Sequence, residues 1–189
     1  MAATESAMVD LGTELPDFIL DDALGSGTIS TADLEEAPAL VMFLCQHCPY
    51  VQHVEEELGR LGDDYADSDL NIVAISSNDT ENYPQDGPRG MREQAQRAGF
   101  SFPYLFDEQQ EAAQAFEALC TPDFFLFDAH GCLFYRGQLD SSRPGSAIPA
   151  DGTDLRGAID ALLAGEDAPT GQRPSVGCNV KWKLGNEPS

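Results

Sequence analysis

A pair of cysteines at the end of a short apolar run constrains this chain more than any other feature. Cys45-Gln46-His47-Cys48 directly follows residues 40–44, a continuous apolar stretch that predicts a strand buried on both faces. After Pro49, apolar residues recur at steps of three and four, which predicts an amphipathic helix. The sequence therefore predicts a C-x-x-C dithiol at a strand-to-helix junction.

This position favours redox chemistry. The dipole and free N–H groups at a helix start stabilise a thiolate, and the spacing of Cys45 and Cys48 allows them to close a reversible disulfide. One C-x-x-C supplies only two zinc ligands, but His47 could supply a third, so a metal- or partner-binding module and a structural pair remain alternatives. We interpret the motif as a redox centre that needs no metal and no cofactor beyond the Cys45–Cys48 disulfide.

The charge of the chain limits its partners. Asp and Glu total 33 against 10 Lys and Arg, which gives a net charge of −23, and the two lysines are Lys181 and Lys183. The acidic residues are spread over every segment, which indicates a folded domain with a carboxylate-covered surface. The composition resembles that of cytoplasmic proteins from extreme halophiles. Such a surface excludes DNA, RNA and anionic membranes as partners.

Folding is expected to depend strongly on salt, because carboxylates spread over one surface repel one another and salt screens that repulsion. Raising KCl from about 0.05 M to about 2 M, where the screening length falls below about 3 Å, should raise the melting temperature. Chloride and sulfate compared at matched ionic strength separate screening from strengthened apolar burial. An unchanged melting temperature would contradict the halophilic interpretation.

Length and termini predict one domain over residues 1–189, with a core at about 11–165 and a C-terminal extension at 166–189. Residues 1–14 are polar and predicted to be loosely held. They lack the basic and apolar regions of a secretory signal, and no stretch approaches the roughly 18 apolar residues of a membrane helix. We therefore expect a cytoplasmic protein, in which a C-x-x-C is catalytic more often than structural.

Strands and helices alternate along the chain. Strands are predicted at residues 16–20, 28–30, 40–44, 70–75 and 104–106. Helices are predicted from Pro49 and at residues 90–98, 109–119 and 153–163, with a loop at 78–88. Aromatic runs at 124–127 and 133–135 flank a glycine-containing turn and predict a β-hairpin. This order predicts an α/β fold, a thioredoxin-like three-layer α/β/α sandwich with a central mixed sheet.

Several motifs together resemble the AhpC/TSA-type, peroxiredoxin-like branch of the thioredoxin superfamily. The likeness runs from about residue 11 to 187. It is carried by Leu15-Pro16-Asp17-Phe18, Cys48-Pro49-Tyr50-Val51, Cys120-Thr121-Pro122-Asp123-Phe124, Tyr135-Arg136-Gly137-Gln138-Leu139-Asp140 and the run from Pro174 to Trp182.

The resemblance implies roles for residues outside the motif. Thr121-Pro122 matches a loop that carries a cis proline beside the C-x-x-C, where Thr121 and Pro122 would contact substrate. Arg136 resembles an arginine that steadies a peroxidatic thiolate, although a surface pairing with Asp140 is the alternative. Cys120 and Cys178 are candidates for a relay or resolving pair, or for buried apolar residues.

The main interpretation is a thiol–disulfide oxidoreductase. Cys45, expected to be the more exposed cysteine, would attack a protein or small-molecule disulfide, and Cys48 would resolve the mixed disulfide. His47 would stabilise the thiolate, and a thiol reductant of unidentified nature would regenerate the pair. The alternative is an antioxidant peroxidase, in which Cys48 reacts with hydroperoxides and Cys45 resolves it. Against it, Cys45 and Met42 stand where peroxiredoxins carry Thr or Ser and proline.

Overall fold

A computed structural model describes residues 3–188 as a mixed α/β fold. The strands are β1 Ala3–Glu5, β2 Ile19–Asp22, β3 Thr28–Ser30, β4 Ala39–Phe43, β5 Asn71–Ser76, β6 Tyr104–Phe106, β7 Cys120–Thr121, β8 Asp123–Phe127, β9 Leu133–Gly137 and β10 Val176–Asn179. The α-helices are α1 Pro49–Asp64, α2 Pro88–Ala98, α3 Glu111–Ala115 and α4 Thr153–Leu163, and short 3-10 turns cover Thr31–Leu34 and Pro84–Asp86.

The central sheet has seven strands in the order β3-β2-β6-β5-β4-β8-β9. Strands β4, β5 and β6 pair in parallel, whereas β8, β9, β2 and β3 join as antiparallel neighbours. This arrangement confirms the predicted α/β sandwich with a mixed sheet. Every residue of β4 is buried, as its continuous apolar run predicts.

Alternate residues of β4 pack into two separate cores, one on each face of the sheet. Leu40 and Met42 join one core with apolar residues of α1, α2 and α4. Val41 and Phe43 join the other with residues of α3, including Ala113. The chain leaves β4 at the carboxyl end of this central strand, between the two covered faces of the sheet. Cys45 and Cys48 lie directly after that end.

Helix α1 begins at Pro49, so Cys48 is its N-cap residue. Proline suits this first position, since its missing N–H would have no partner within the helix. The predicted apolar stripe of the helix is buried, with Leu58 and Leu61 fully inaccessible. Burial of each such leucine contributes about 1.5–3 kcal/mol and fixes the helix against the sheet.

A second, three-stranded sheet was not predicted. Strand β10, from the segment predicted as an extension, pairs with β1 on one side and β7 on the other, all antiparallel. The prediction that residues 1–14 are loosely held is therefore wrong for β1. Strands of two to four residues are too short for a detectable pattern of alternation. Their pairing carries Cys178 to a position opposite Thr121.

Two helix boundaries also differ from prediction. Helix α3 is shorter than the predicted 109–119, because Gln110 and Glu117 adopt left-handed backbone conformations with φ of 64° and 52°. Helix α2 starts at Pro88, two residues before the predicted start at residue 90 and at the last residue of the predicted loop. Within residues 3–188, no helix combines the length and apolar character needed to cross a membrane.

Candidate active site

Both cysteines of the C-x-x-C are buried. The exposed fraction of Cys45 is 1% and that of Cys48 is 0%. Both thiols are shielded from solvent, whereas the sequence predicts an exposed Cys45. Cys45 follows β4 in an irregular segment, and Cys48 caps α1. The two thiols lie in the same buried cluster, and each shifts the pKa of the other.

Thr121 faces both sulfur atoms. Cys45 Sγ lies 3.1 Å from Thr121 Oγ1, and Cys48 Sγ lies 3.2 Å from the Thr121 carbonyl oxygen, which accepts the thiol proton of Cys48. The Thr121–Pro122 peptide bond is cis, as the resemblance implies. The backbone of β7 thus closes one side of the dithiol.

Asp86, which no sequence pattern singled out, supports the loop between the cysteines. Its buried carboxylate accepts the backbone N–H groups of Gln46 at 3.0 Å and His47 at 3.2 Å. It also accepts from Asn78 Nδ2 at 2.8 Å, and Asn78 in turn accepts the backbone N–H of Lys181. Through Asn78, which follows β5, Asp86 therefore connects the loop between the two cysteines to the C-terminal segment.

His47 lies on the outer side of this network. Its Nδ1 is 2.5 Å from Asp86 Oδ2, and its ring stacks on Tyr83 with centroids 5.4 Å apart. Potential ligand atoms of Cys45, His47 and Asp86 lie within 4.8 Å of one another, so these three could hold a metal ion. That group differs from the predicted ligands, because Asp86 takes the place of Cys48.

The surroundings of Cys48 favour its thiolate. The pKa of Cys48 is lowered to about 5, first because Cys45 donates to it, and further because the Cys178 thiol and the N–H groups of Val51 and Cys178 point to its sulfur. Burial and the Thr121 carbonyl oppose ionisation but are outweighed.

Cys45 behaves in the opposite way. Its pKa is raised because it keeps the proton that it donates to Cys48, because it is buried, and because the charge of Asp86 repels a second anion. These shifts favour a thiolate at Cys48 over one at Cys45. The sequence predicts the thiolate at Cys45 instead.

The lowered pKa of Cys48 gives a measurable titration. Thiolate absorbance of the reduced protein, corrected with a Cys48→Ser variant, should rise with a midpoint near pH 5. A free thiol, by comparison, titrates at about 8.5. Because ionised Cys48 is better stabilised in the folded state, its contribution to stability is present above the unfolded pKa and is lost as pH falls through the folded one. A midpoint near that of a free thiol would contradict the assignment.

The remaining predicted site residues fall in different places. Cys178 belongs to the same buried cluster as Cys48, and its pKa is raised to about 12, chiefly by burial. Cys120 is also buried, which raises its pKa, and its thiol points to the Pro122 carbonyl at 3.8 Å. Arg136 binds the Val9 carbonyl and Gln172 Oε1, so the alternative pairing of Arg136 with Asp140 is wrong.

The fold belongs to the thioredoxin-like class. It superposes on the thioredoxin domain of a thiol-disulfide oxidoreductase from Bacteroides vulgatus with a TM-score of 0.64 at 14% identity, over 82% of this chain and 99% of that one. A crystal structure of an uncharacterized conserved protein from Geobacillus kaustophilus is much more similar. It gives a TM-score of 0.94 at 47% identity and covers 97% of this chain and 98% of that one.

Sequence comparison narrows the class to a family. The AhpC/TSA family model matches residues 11–136, so the chain belongs to the AhpC/TSA family. It is also 23% identical over 127 residues to the thiol-disulfide oxidoreductase ResA of Halalkalibacterium halodurans, over 67% of this chain and 68% of that protein. The predicted family relationship is thereby confirmed.

Proposed function

We propose that this protein is a thiol–disulfide oxidoreductase whose Cys45 and Cys48 alternate between a dithiol and a disulfide. The observation that carries the proposal is the placement of Cys45 and Cys48 together at the N-terminus of α1, both within 3.2 Å of Thr121, in surroundings that lower the pKa of Cys48. Such a pair favours thiol–disulfide exchange, because a sulfur that ionises readily and a resolving thiol lie side by side.

The lowered pKa of Cys48 supports the following order of steps. The Cys48 thiolate attacks one sulfur of a substrate disulfide, and the other substrate sulfur leaves as a thiolate. Cys45 then gives up its proton and attacks Cys48 Sγ. The Cys45–Cys48 bond forms, the mixed disulfide breaks, and the second substrate sulfur leaves reduced. The reverse sequence oxidises a substrate dithiol, and the redox poise of the compartment selects the direction.

The surroundings suggest how substrate is held. Thr121 and Pro122 lie against the thiols and are proposed to contact the substrate backbone. A cleft of about 560 Å³ is lined by Tyr83, on whose ring His47 stacks, and by Asn179 and Lys181 among others. We propose protein or small-molecule disulfides as substrates, a thiol donor as the reductant and the cytoplasm as the location, with no nucleic acid, membrane or further cofactor involved.

Turnover of a disulfide substrate tests this function. The wild-type protein, assayed in molar KCl with dithiothreitol, should accelerate reduction of a protein disulfide and of glutathione disulfide. A Cys132→Ser variant is the matched control, since Cys132 lies outside the thiol contacts described above. Rates equal to those of dithiothreitol alone would contradict the proposal.

A peroxidase is the second candidate, favoured by the ionised Cys48 in the peroxidatic place. Cys48 would take one oxygen from a hydroperoxide and become a sulfenic acid while an alcohol or water leaves. Cys45 would then form the disulfide with loss of water. Consumption of hydrogen peroxide with a thiol donor tests this reaction. A rate faster than disulfide reduction would make peroxide the preferred substrate.

His47 is expected to tune the reduction potential. In His47→Gln, the site loses an imidazole nitrogen within 4.8 Å of Cys45 Sγ, and with it a group that can carry a positive charge and stabilise a thiolate in the reduced pair. The potential should fall by about 30 mV for each tenfold loss in the equilibrium constant. The exposed His130→Gln change is the control. An unchanged or higher potential in His47→Gln would contradict this role.

A further inference from the structure

We propose that Cys178 is a third redox-active cysteine, which takes over the disulfide from Cys45 and forms a Cys48–Cys178 bond. This inference rests on the proposed function, because it requires the Cys45–Cys48 disulfide as its starting point. It assigns to the C-terminal strand β10 a covalent part in the chemistry of the site.

Strand pairing brings Cys178 to the dithiol. In the antiparallel ladder of β10 and β7, Cys178 stands opposite Thr121, whose carbonyl lies 3.2 Å from Cys48 Sγ. Cys45, Cys48 and Cys178 belong to one cluster of buried residues, and Cys178 is near enough to Cys48 to lower its pKa. Cys48 therefore has two buried thiols beside it, Cys45 and Cys178.

The close approach depends on the residue before Cys178. A Cβ atom at Gly177 would lie 1.9 Å from the Thr121 carbonyl oxygen, a distance that no side chain can occupy. Glycine thus lets β10 lie tightly against β7, and this places the next residue over Cys48. The three thiols share one apolar core, from which bulk solvent is excluded.

The exchange balances without an external oxidant. Cys178 loses its proton and attacks Cys48 Sγ in the Cys45–Cys48 disulfide. The Cys48–Cys178 bond forms, the Cys45–Cys48 bond breaks, and Cys45 leaves as a thiolate that takes up a proton. One disulfide and one thiol are present before and after, so the oxidation state of the protein is unchanged.

Cys120 is a poorer partner, although it is also near. Its thiol points to the Pro122 carbonyl, and the pKa of Cys120 is raised by burial and by the charges of Asp123 and Cys48. Cys178 instead lies in the same buried cluster as Cys48 and helps to lower the pKa of Cys48. Cys120→Ser is therefore the matched control, a buried cysteine from the neighbouring strand of the same small sheet.

Disulfide mapping of a Cys45→Ser variant tests the inference. The folded variant is equilibrated in oxidising glutathione buffer in molar KCl, its free thiols are alkylated, and it is digested with trypsin. Cys48 lies in the peptide that ends at Arg60 and Cys178 in the one that ends at Lys181, so their bond links two peptides. We expect this link in nearly every chain, and also in Cys45→Ser/Cys120→Ser.

The outcomes separate this inference from the proposed function. If Cys45→Ser yields only glutathione adducts, or links Cys48 to Cys120, Cys178 is not the third partner. Wild-type protein and Cys178→Ser should still form the Cys45–Cys48 disulfide in that case, which leaves the proposed function standing. If wild-type protein forms no Cys45–Cys48 disulfide, the proposed function fails. Near-ultraviolet circular dichroism shows whether each variant keeps its fold, and a Cys45→Ala variant repeats the test if Cys45→Ser unfolds.

Discussion

A Cys48→Ser variant is expected to lose at least about a hundredfold in disulfide-reduction turnover, because it removes the sulfur that attacks the substrate disulfide and ends the intramolecular exchange with Cys45. The variant also loses the ionised sulfur, since the pKa of the remaining Cys45 is held high by burial. Steady-state rates with glutathione disulfide measure the loss. Quantitative alkylation after oxidation should show that the paired loss of two thiols has disappeared.

Serine at other cysteines should have little effect on that rate. Cys132→Ser removes a half-buried thiol near Glu14, at the far side of the hairpin turn, and should keep the wild-type rate within about twofold. If Cys48→Ser and Cys132→Ser turn over equally fast, Cys48 is not the nucleophile of this reaction.

Asp86→Ala is expected to destabilise the protein by about 3–5 kcal/mol, because it removes a buried charge partner and leaves buried donors unsatisfied. The donors are the N–H groups of Gln46 and His47, the His47 ring and the Asn78 amide. Urea unfolding of the reduced protein at constant molar KCl measures the change in the free energy of unfolding.

Asp86→Asn separates the loss of charge from the loss of acceptors. Asparagine keeps one carbonyl oxygen for the N–H groups of Gln46 and His47, so it should cost less than alanine. Asp63→Ala, on the solvent side of α1, is the surface control and should change stability by less than about 0.5 kcal/mol. A cost for Asp86→Ala as small as that of Asp63→Ala would contradict the supporting role of Asp86.

The strand-to-helix junction was predictable because its signals are local. A five-residue apolar run, a proline at the first helical position and apolar residues at helical spacing all lie within 25 residues of Cys45. The cis bond at Thr121-Pro122 was predicted from a family motif rather than from physical pattern. These features together placed the two cysteines in the correct elements.

The support around the dithiol was not predictable, because it comes from residues distant in sequence. Asp86 reaches the loop at Gln46 across 40 positions, and it lies in a polar stretch that resembles any surface loop. The strand that carries Cys178 is four residues long and becomes visible only when β1 and β7 pair with it. Burial of Cys45 follows from these same distant contacts.

The proposed thiolate at Cys48 has a simple physical basis. The sequence pattern predicts the thiolate at the first cysteine of the motif, whereas α1 begins only at Pro49, so the residue at its N-terminus is Cys48. A helix stabilises an anion within its first turn and little beyond, which favours Cys48 over Cys45 as the thiolate.

The most direct test of the account is a redox titration of the wild-type protein in glutathione buffers at molar KCl, with alkylation and peptide mapping at each step. The account predicts that two thiols are lost together at one midpoint, that a disulfide links Cys45 or Cys178 to Cys48, and that Cys120 and Cys132 remain free. Loss of thiols one at a time as glutathione adducts, or a disulfide that omits Cys48, would contradict it.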